Sequence, residues 1–303
     1  MAAESTITRA LMREDPLARR RRLRYLVQRI LIYTLLVLGA VIILVPFLWM
    51  ISTSLKVEAH LFDQPPQWIP KPIAPENYVD AWKKLASIAP GLTFWRIMGN
   101  TLFIIAAKTF AELLSVPLVA YGFARLKFPG KKVLFLLVIS TMMIPLQTKL
   151  IPLFTMYVKL GLNDTYWPLI LPAFTASPFF IFLLNQYMKT LPRDLDDAAK
   201  IDGVGTFGIL YRIILPLCIP ALTIIVVYTF LWTWNEFLQP LIYLSSYEKF
   251  TIQLGLEMFK GIWSVEWNLL MAATLATMSP VLIMYFFAQK RLIGGIASVG
   301  LKG

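Results

Sequence analysis

The sequence predicts an all-α membrane protein that crosses the bilayer six times. Of its 303 residues, 58% are hydrophobic and 15% are charged, and the mean hydropathy is +0.66. Soluble domains carry about 25% charged residues, so this composition argues against an ordinary soluble fold. Long runs without charge and an alternation of positive charge along the chain support the same prediction.

Six apolar segments are long enough to cross a bilayer, whose hydrocarbon core of about 30 Å needs about 20 helical residues. Four of them carry no charge: residues 30–55, 166–188, 213–235 and 267–289. Two others are as apolar but contain charged residues. Segment 101–126 holds Lys108 and Glu112, and segment 133–157 holds Lys149.

Most of the 29 lysines and arginines lie in every second connection. They are concentrated in residues 1–29, 125–132, 189–212 and 290–302. Short loops rich in Lys and Arg stay in the cytoplasm, so we expect both termini there. The chain then divides into a basic cytoplasmic tail, residues 1–29, and a transmembrane domain, residues 30–303. This alternation indicates a lipid bilayer and no nucleic acid as the partner of the cations, because nucleic acid would favour a single basic patch.

Side chains suited to catalysis or metal binding are scarce. Cys218 and His60 are the single cysteine and histidine, so we predict no zinc site and no disulfide framework. The phosphate-binding pattern G-x-x-x-x-G-K-[ST] is also absent, since Gly130-Lys131 lacks the upstream glycine and the following hydroxyl. We therefore expect no catalytic residue, no cofactor and no metal, and we expect that the chain alone does not hydrolyse ATP.

The connection at residues 191–216 has the start and end signals of a helix, a turn and a second helix. Acidic residues place negative charge in the first helical turn, where the helix dipole favours it. Ala198, Ala199 and Ile201 then form a small apolar strip, and Gly203 can adopt the left-handed conformation that ends a helix. A second short amphipathic run, Phe207 to Leu215, follows. Small residues allow another backbone to approach, so this loop is a predicted docking site.

The loop resembles the EAA motif of membrane-spanning permease subunits of binding-protein-dependent ABC importers. The matching residues are Asp197-Ala198-Ala199-Lys200-Ile201-Asp202-Gly203, followed by Ile213-Ile214-Leu215-Pro216. The motif has the form E-A-A-x-x-D-G, a spacer, then I-x-L-P. Asp197 replaces the usual glutamate and Val204 the common alanine after the glycine. The carboxylate is retained with one methylene less, so we expect the docking chemistry to persist with a shorter reach.

Further matches resemble the carbohydrate-uptake branch of that family, and in particular the smaller maltose-type permease subunit. They are Asn77-Tyr78 and the runs 123–130, 160–165 and 234–237. The resemblance extends from about residue 45 to the end of the sequence. It does not identify the sugar.

The resemblance implies the type I ABC importer permease fold and a division of labour among several chains. A second permease subunit would complete a heterodimer around the path, and two ATPase subunits would receive the 191–216 loops. An extracytoplasmic solute-binding protein would deliver a sugar, oligosaccharide or related polyol. The implied ATPase-coupling residues are Asp197, Ala198, Ala199, Asp202 and Gly203. The implied location is the bacterial or archaeal cytoplasmic (inner) membrane.

Two alternatives remain open at this point. An ion-gradient-driven secondary carrier would need its own binding site and preferably two related halves, and we find no internal repeat. An importer subunit for an anion such as glycerol phosphate would place cations along the path. Lys108 and Glu112, four residues apart on one helical face, either line the path or form a buried structural pair that neutralises itself. We expect the structural pair, and we expect Glu236 with Trp232 and Trp234 to serve in the interfacial belt and in packing.

Overall fold

The computed structural model describes residues 16–261 and 265–300, and within these ranges the chain is built from helices and their connections. No β-sheet forms in the described ranges, where Lys260 and Val265 make an isolated bridge. The predicted all-α class is confirmed. Residues 1–15 of the predicted basic tail and residues 301–303 lie outside the described residues.

The α-helices are labelled in chain order. They are α1 (Pro16–Ser54), α2 (Asn77–Ile88), α3 (Phe94–Arg125), α4 (Lys131–Ser140), α5 (Leu146–Lys159), α6 (Trp167–Phe174), α7 (Pro178–Thr190), α8 (Asp194–Ile201), α9 (Thr206–Ile209), α10 (Leu215–Leu217), α11 (Ile219–Trp234), α12 (Leu238–Tyr243), α13 (Ile252–Glu257) and α14 (Trp267–Gly300). Short 3-10 helices lie at Glu58–His60, Thr141–Met143 and Tyr247–Lys249, and a π-helical turn at Leu210–Ile214.

By length and composition, the described residues contain four to six membrane spans. Four stretches are long and apolar enough as they stand: Leu23–Ser54, Phe94–Arg125, Trp167–Thr190 and Trp267–Gln289. Two helix pairs qualify only if each counts as one crossing: Lys131–Met143 with Leu146–Lys159, bent by 94°, and Thr206–Leu217 with Ile219–Trp234, bent by 77°. The predicted six spans are reached only if both bent pairs are counted.

Prolines lie at both bends. Between α4 and α5, Ile144 and Pro145 are extended, with ψ of 113° and 143°. A residue before proline is driven out of the helical region, and proline itself donates no N–H to a helix. Pro220 lies in the first turn of α11, directly after the break at Cys218. The sequence predicts a span at residues 133–157 and, from Pro145 within it, a kink, and the structure has a sharp bend at that proline.

The helix α3 is the centre of the packing. It packs against α6, α7 and α11, and its buried Val116, Ala120 and Ala124 lie in one core with Phe180 and Leu184 of α7. Small residues on a membrane helix allow a neighbouring helix to approach closely. The helix α1 differs, because it packs mainly on α14 and leaves nearly all apolar side chains of residues 23–48 exposed. A helix that is apolar all round is typical of lipid contact.

The Asn77-Tyr78 match anchors the connection between α1 and α3. The Asn77 amide donates to the carbonyl oxygens of Ser54 at 2.9 Å and Lys56 at 2.8 Å. The Tyr78 hydroxyl lies 3.0 Å from the Ser54 hydroxyl oxygen. The start of α2 is therefore tied to the end of α1.

Candidate functional site

The 191–216 connection forms the predicted helix, turn and second helical segment. The helix α8 is followed by Gly203, whose φ of +77° lies in the left-handed region. The N–H of Gly203 donates to the Lys200 carbonyl at 3.0 Å, and the N–H of Val204 donates to the Ala199 carbonyl at 2.9 Å. These two bonds make a Schellman motif, which satisfies the last carbonyl groups of a helix. The predicted role of Gly203 in ending the helix is confirmed.

The predicted coupling residues lie on two faces of the loop. Asp197, Ala198, Asp202 and Gly203 are exposed, whereas Ala199 is buried and packs with Val204 in the core below. Asp197 pairs at the surface with Lys200 at 2.8 Å, and this hydrogen bond lowers the pKa of the Asp197 carboxyl. The exposed face thus presents carboxylates and a bare backbone turn, while Ala199 fixes the helix to its own subunit.

Two large apolar side chains project from the same loop. Ile201, which the sequence placed in the apolar strip with Ala198 and Ala199, is 87% exposed at the end of α8. Phe207, the first residue of the predicted second run, is 70% exposed in the first turn of α9. Single exposed apolar residues are common, but these two flank the acidic turn. Ile201 lies off the buried stripe of Asp196 and Ala199, so the predicted strip does not form one buried face.

A buried ion pair joins α8 to the end of α3. Arg125 Nη1 lies 2.9 Å from Asp196 Oδ2, and the two side chains are only 4% and 9% exposed. The other terminal nitrogen, Arg125 Nη2, donates to the Leu191 carbonyl at 3.1 Å. From the sequence, Asp196 is an acidic residue of a helical first turn and Arg125 a topology cation. Their contact links two distant parts of the chain, and no pattern of neighbouring residues predicts it.

A polar cavity of about 490 Å³ lies beside this pair. Its wall includes Lys127, Arg193 and Lys200 as well as the carboxylate of Asp197. Two atoms of the ion pair, Arg125 Nε and Asp196 Oδ1, are buried without a hydrogen-bond partner among the described residues. Arg125 and Asp196 therefore contribute to the wall of the cavity through atoms other than these two.

Lys108 and Glu112 share a face of α3 but do not pair directly. Both lie in the described part of the chain, and no ion pair within 4.0 Å joins them. Glu112 is buried, and its Oε2 accepts the N–H of Ser177, just before α7, at 3.2 Å. Lys108 lines a cavity of about 10 Å³ together with Glu236. Each side chain faces a different neighbouring segment, and the expected mutual neutralisation stays a prediction.

Glu236 lies at the break between α11 and α12. Its side chain contacts protein and does not face lipid alone, unlike a typical residue of the interfacial belt. It is half-buried, and its Oε1 accepts the N–H of Gln239 at 3.2 Å. Trp234 is buried and stacks on Phe230 with 5.2 Å between ring centroids. Of the three residues expected in the interfacial belt, Trp232 is the one that is exposed.

The carboxylate of Asp164 ties two loops together near the other end of α3. Its Oδ1 accepts the backbone N–H groups of Ser245 at 2.9 Å and Ser246 at 3.0 Å. Its Oδ2 accepts from the Ser246 hydroxyl and from Lys249 Nζ at 2.9 Å. Burial raises the pKa of this carboxyl, but these hydrogen bonds outweigh burial and hold the pKa well below its usual range. We call these four residues the Asp164 clamp.

Potential metal ligands do not cluster. Among the described residues, no three His, Cys, Asp or Glu side chains are arranged to hold a metal ion. His60 pairs with Asp63 at 2.8 Å, and Cys218 is buried in the core of the α3 and α7 helices.

Residues 116–296 match the family described as binding-protein-dependent transport system inner membrane component. The chain belongs to this family. The matched region runs from the second half of α3 into α14, so it contains the whole 191–216 loop and the Arg125–Asp196 pair. The chain is a multi-pass inner-membrane protein of this permease family.

Several relatives are permease subunits of transport systems. The probable ABC transporter permease protein YurM of Bacillus subtilis is 32% identical over 90% of this chain and 88% of its own length. The arabinooligosaccharides transport system permease protein AraQ of Bacillus subtilis is 37% identical over 70% of this chain and 75% of its own length. The sulfoquinovosyl glycerol transport system permease protein SmoH of Agrobacterium fabrum is 32% identical over 86% and 89%. These names confirm the prediction that the chain is a transport subunit and not an enzyme.

A solved structure shares the fold. The bacterial ABC transporter involved in the import of the acidic polysaccharide alginate matches with a TM-score of 0.73 and 24% identity, over 87% of this chain and 96% of that chain. At this identity the likeness establishes the fold, and the permease fold implied by the sequence is confirmed.

Proposed function

We propose that the chain forms half of the translocation path of an ATP-driven importer for a sugar, oligosaccharide or related polyol. The substrate class is supported by relatives named for arabinooligosaccharides, sulfoquinovosyl glycerol and diacetylchitobiose. The dependence on ATP rests on one observation above all. The 191–216 loop presents exposed carboxylates, a glycine turn and two apolar side chains on a chain whose sequence has no phosphate-binding loop.

The proposed partners follow from this division of labour. They are a second permease subunit in a heterodimer, two ATPase subunits and an extracytoplasmic solute-binding protein. A structure of the alginate transporter is in complex with an alginate pentasaccharide-bound periplasmic protein, which supports the last of these partners. The ion-gradient carrier has no such support, because the matched family is one of binding-protein-dependent transport systems, and YurM and the alginate transporter are named as ABC transporters.

The proposed ATPase contact consists of the exposed face of the loop. Asp197 and Asp202 offer carboxylates for a cationic or amide partner, and Ala198 and Gly203 allow a close backbone approach. Ile201 and Phe207 add apolar anchors, which carry much of the binding energy in interfaces. Ala199, although part of the same motif, acts by holding α8 on the core.

We propose that both termini and the 191–216 loop lie on the cytoplasmic side, as the distribution of cations indicates. Cysteine labelling tests this orientation in a Cys218→Ser background. Ile69→Cys, in the α1–α2 connection, should react with an impermeant maleimide in intact cells. Phe207→Cys should react only after the membrane is opened. Labelling of Phe207→Cys in intact cells overturns the orientation.

We propose structural roles for Lys108 and Glu112. The support is that Glu112 is buried and accepts the N–H that precedes α7, while Lys108 faces Glu236 across a space of the size of one water molecule. Such groups hold α3 against the broken helices α6–α7 and α11–α12. They do not require contact with a transported sugar.

Co-purification tests the proposed function. The tagged chain, extracted in mild detergent from cells that make it, should carry an ATPase with it. The double variant Ile201→Asp/Phe207→Asp should lose the ATPase, because charges replace both apolar anchors. The matched control is Phe62→Asp, which replaces a 79% exposed apolar side chain in the α1–α2 connection and should retain the ATPase. If the unmodified chain carries no ATPase, or the loop variant retains it, the proposal fails.

A further inference from the structure

We propose that Arg125 and Asp196 are a positioning pair that transmits the movement of the 191–216 loop to α3. This inference rests on the proposed function, because it presumes that an ATPase moves the loop. Neither residue belongs to the predicted coupling set. Both act through other residues and are not proposed to touch ATP or the substrate.

The contacts of α8 point to this pair. The helix has eight residues and packs only sparsely on the membrane helices. Two of its residues are buried: Ala199, which contributes a methyl group, and Asp196, which contributes the ion pair with α3. The pair is thus the polar connection between α8 and α3, beside the apolar packing of Ile209, Leu210 and Ile214 in the core that contains α3. A methyl contact allows sliding, whereas an ion pair held at 2.9 Å does not.

Arg125 contacts two points near the start of the 191–216 loop. One terminal nitrogen binds the Asp196 carboxylate and the other binds the Leu191 carbonyl, which lies between α7 and α8. A planar guanidinium holds two acceptors in a fixed geometry, which a lysine ammonium does not. Arg125, the last residue of α3, therefore fixes the orientation of α8.

The helix α3 continues from this pair to the opposite end of the molecule. Near its start, the Asn100 amide donates to the carbonyls of Glu248 and Phe250, each at 2.9 Å. The Thr101 hydroxyl oxygen accepts the N–H of Ile252 at 2.9 Å. A displacement of α8 that pulls on Arg125 is therefore passed along one 32-residue helix to the segment 248–252. A continuous packed element of this kind is a physical route for coupling between distant sites.

The surroundings of the pair leave room for movement. The cavity of about 490 Å³ lies along the same side chains, and Arg125 Nε and Asp196 Oδ1 have no partner among the described residues. A connection that only stabilised the fold would be more stable if both atoms had hydrogen-bond partners. This pair combines a fixed link with a cavity on one side, while its two unpartnered atoms are buried.

The experiment compares three variants in the assembled transporter, reconstituted with its solute-binding protein. Arg125→Met/Asp196→Leu replaces the pair by apolar side chains of similar length, Arg125→Lys keeps the charge but loses the two-acceptor geometry, and Lys83→Met removes the exposed Lys83–Asp80 pair as a control. Three quantities are measured: the ATPase bound, ATP hydrolysis with and without the substrate-loaded binding protein, and uptake into vesicles.

We expect the double variant to bind the ATPase and hydrolyse ATP, but its ATP hydrolysis should no longer be stimulated by the loaded binding protein. Its uptake should fall about tenfold, a typical size for coupling between sites. Arg125→Lys should retain part of the uptake, and Lys83→Met should match the unmodified protein. Stimulation and uptake within about twofold of normal in the double variant overturn the inference and leave the proposed function intact. If the double variant does not accumulate, Arg125→Lys decides: normal coupling in that variant overturns the inference.

Discussion

Two carboxylates hold loops at opposite ends of α3, and they are satisfied to different degrees. Asp164 uses both oxygens and accepts from two backbone N–H groups, a hydroxyl and an ammonium. Asp196 uses one oxygen toward Arg125, and its other oxygen has no partner among the described residues. Each arrangement borders a cavity, of about 410 Å³ at the Asp164 clamp and about 490 Å³ at the Arg125–Asp196 pair, so the two differ in their hydrogen bonds and not in the space beside them.

This difference shows how one helix can be held rigidly at one end and adjustably at the other. A carboxylate with several charge-assisted hydrogen bonds loses much free energy if any neighbour moves. A single ion pair has fewer such bonds to lose when the groups around it rearrange. The predictions below separate the two arrangements, beginning with the largest expected effect.

Asp196→Ala should destabilise the protein most. It leaves the Arg125 guanidinium buried without its carboxylate, which typically costs about 3–5 kcal/mol. Denaturant unfolding in detergent measures this loss. Asp197→Ala is the matched control, because it removes an exposed carboxylate one residue away and should leave the unfolding midpoint nearly unchanged. Equal midpoints for the two variants would contradict the burial argument.

Asp164→Asn should cost about 2 kcal/mol, since it keeps the shape of the side chain but removes its charge and replaces one accepting oxygen of the Asp164 clamp by an NH2 group, which cannot accept. The folded pKa of Asp164 lies below its ordinary value, so its stabilisation is complete above the unfolded pKa of about 4 and is lost as the pH falls through the folded pKa. The difference in stability between the native protein and Asp164→Asn should therefore shrink below about pH 4. A difference that grows with acidification would reverse this sign.

Glu112→Leu should cost about 1–2 kcal/mol, because it leaves the N–H of Ser177 buried without its acceptor. Glu112→Gln retains an acceptor and should cost less. Thermal unfolding of Lys108→Met, Glu112→Leu and the double variant then gives a cycle. Since no direct ion pair joins the two side chains, their effects should add within about 0.5 kcal/mol. Recovery of stability in the double variant would instead support the self-neutralising pair that the sequence suggested.

Alanine substitutions at two glycines, one at each end of α3, should have the smallest effects and are the most closely matched pair of variants. Gly161 ends α5 near the Asp164 clamp with φ of +69°, and Gly203 follows α8 with φ of +77°. An added Cβ meets nothing within 4 Å at either position, so alanine should cost only backbone strain of about 1 kcal/mol at each. Uptake should fall only for Gly203→Ala. Asparagine tolerates the left-handed region, so Gly203→Asn should recover most of the stability. Equal uptake for Gly161→Ala and Gly203→Ala would remove the functional distinction between the two ends.

Much of this protein is determined by its sequence alone. Apolar length and charge spacing predict the all-α class and the approximate positions of the spans, because the bilayer imposes them locally. The motif at 197–203 predicts both the family and the helix that Gly203 ends, since a Schellman turn depends on residues close together in the chain.

The tertiary structure decided the directions of the spans and the partners of the charges. The 94° bend at Pro145 and the 77° bend at Cys218 leave the number of crossings between four and six, which apolar length could not reveal. Asp196 meets Arg125 and Asp164 meets Lys249, each across a large separation in sequence, while the adjacent Lys108 and Glu112 face different neighbours. Local spacing specifies which residues share a helical face. Only the packing of one helix against another determines what that face meets.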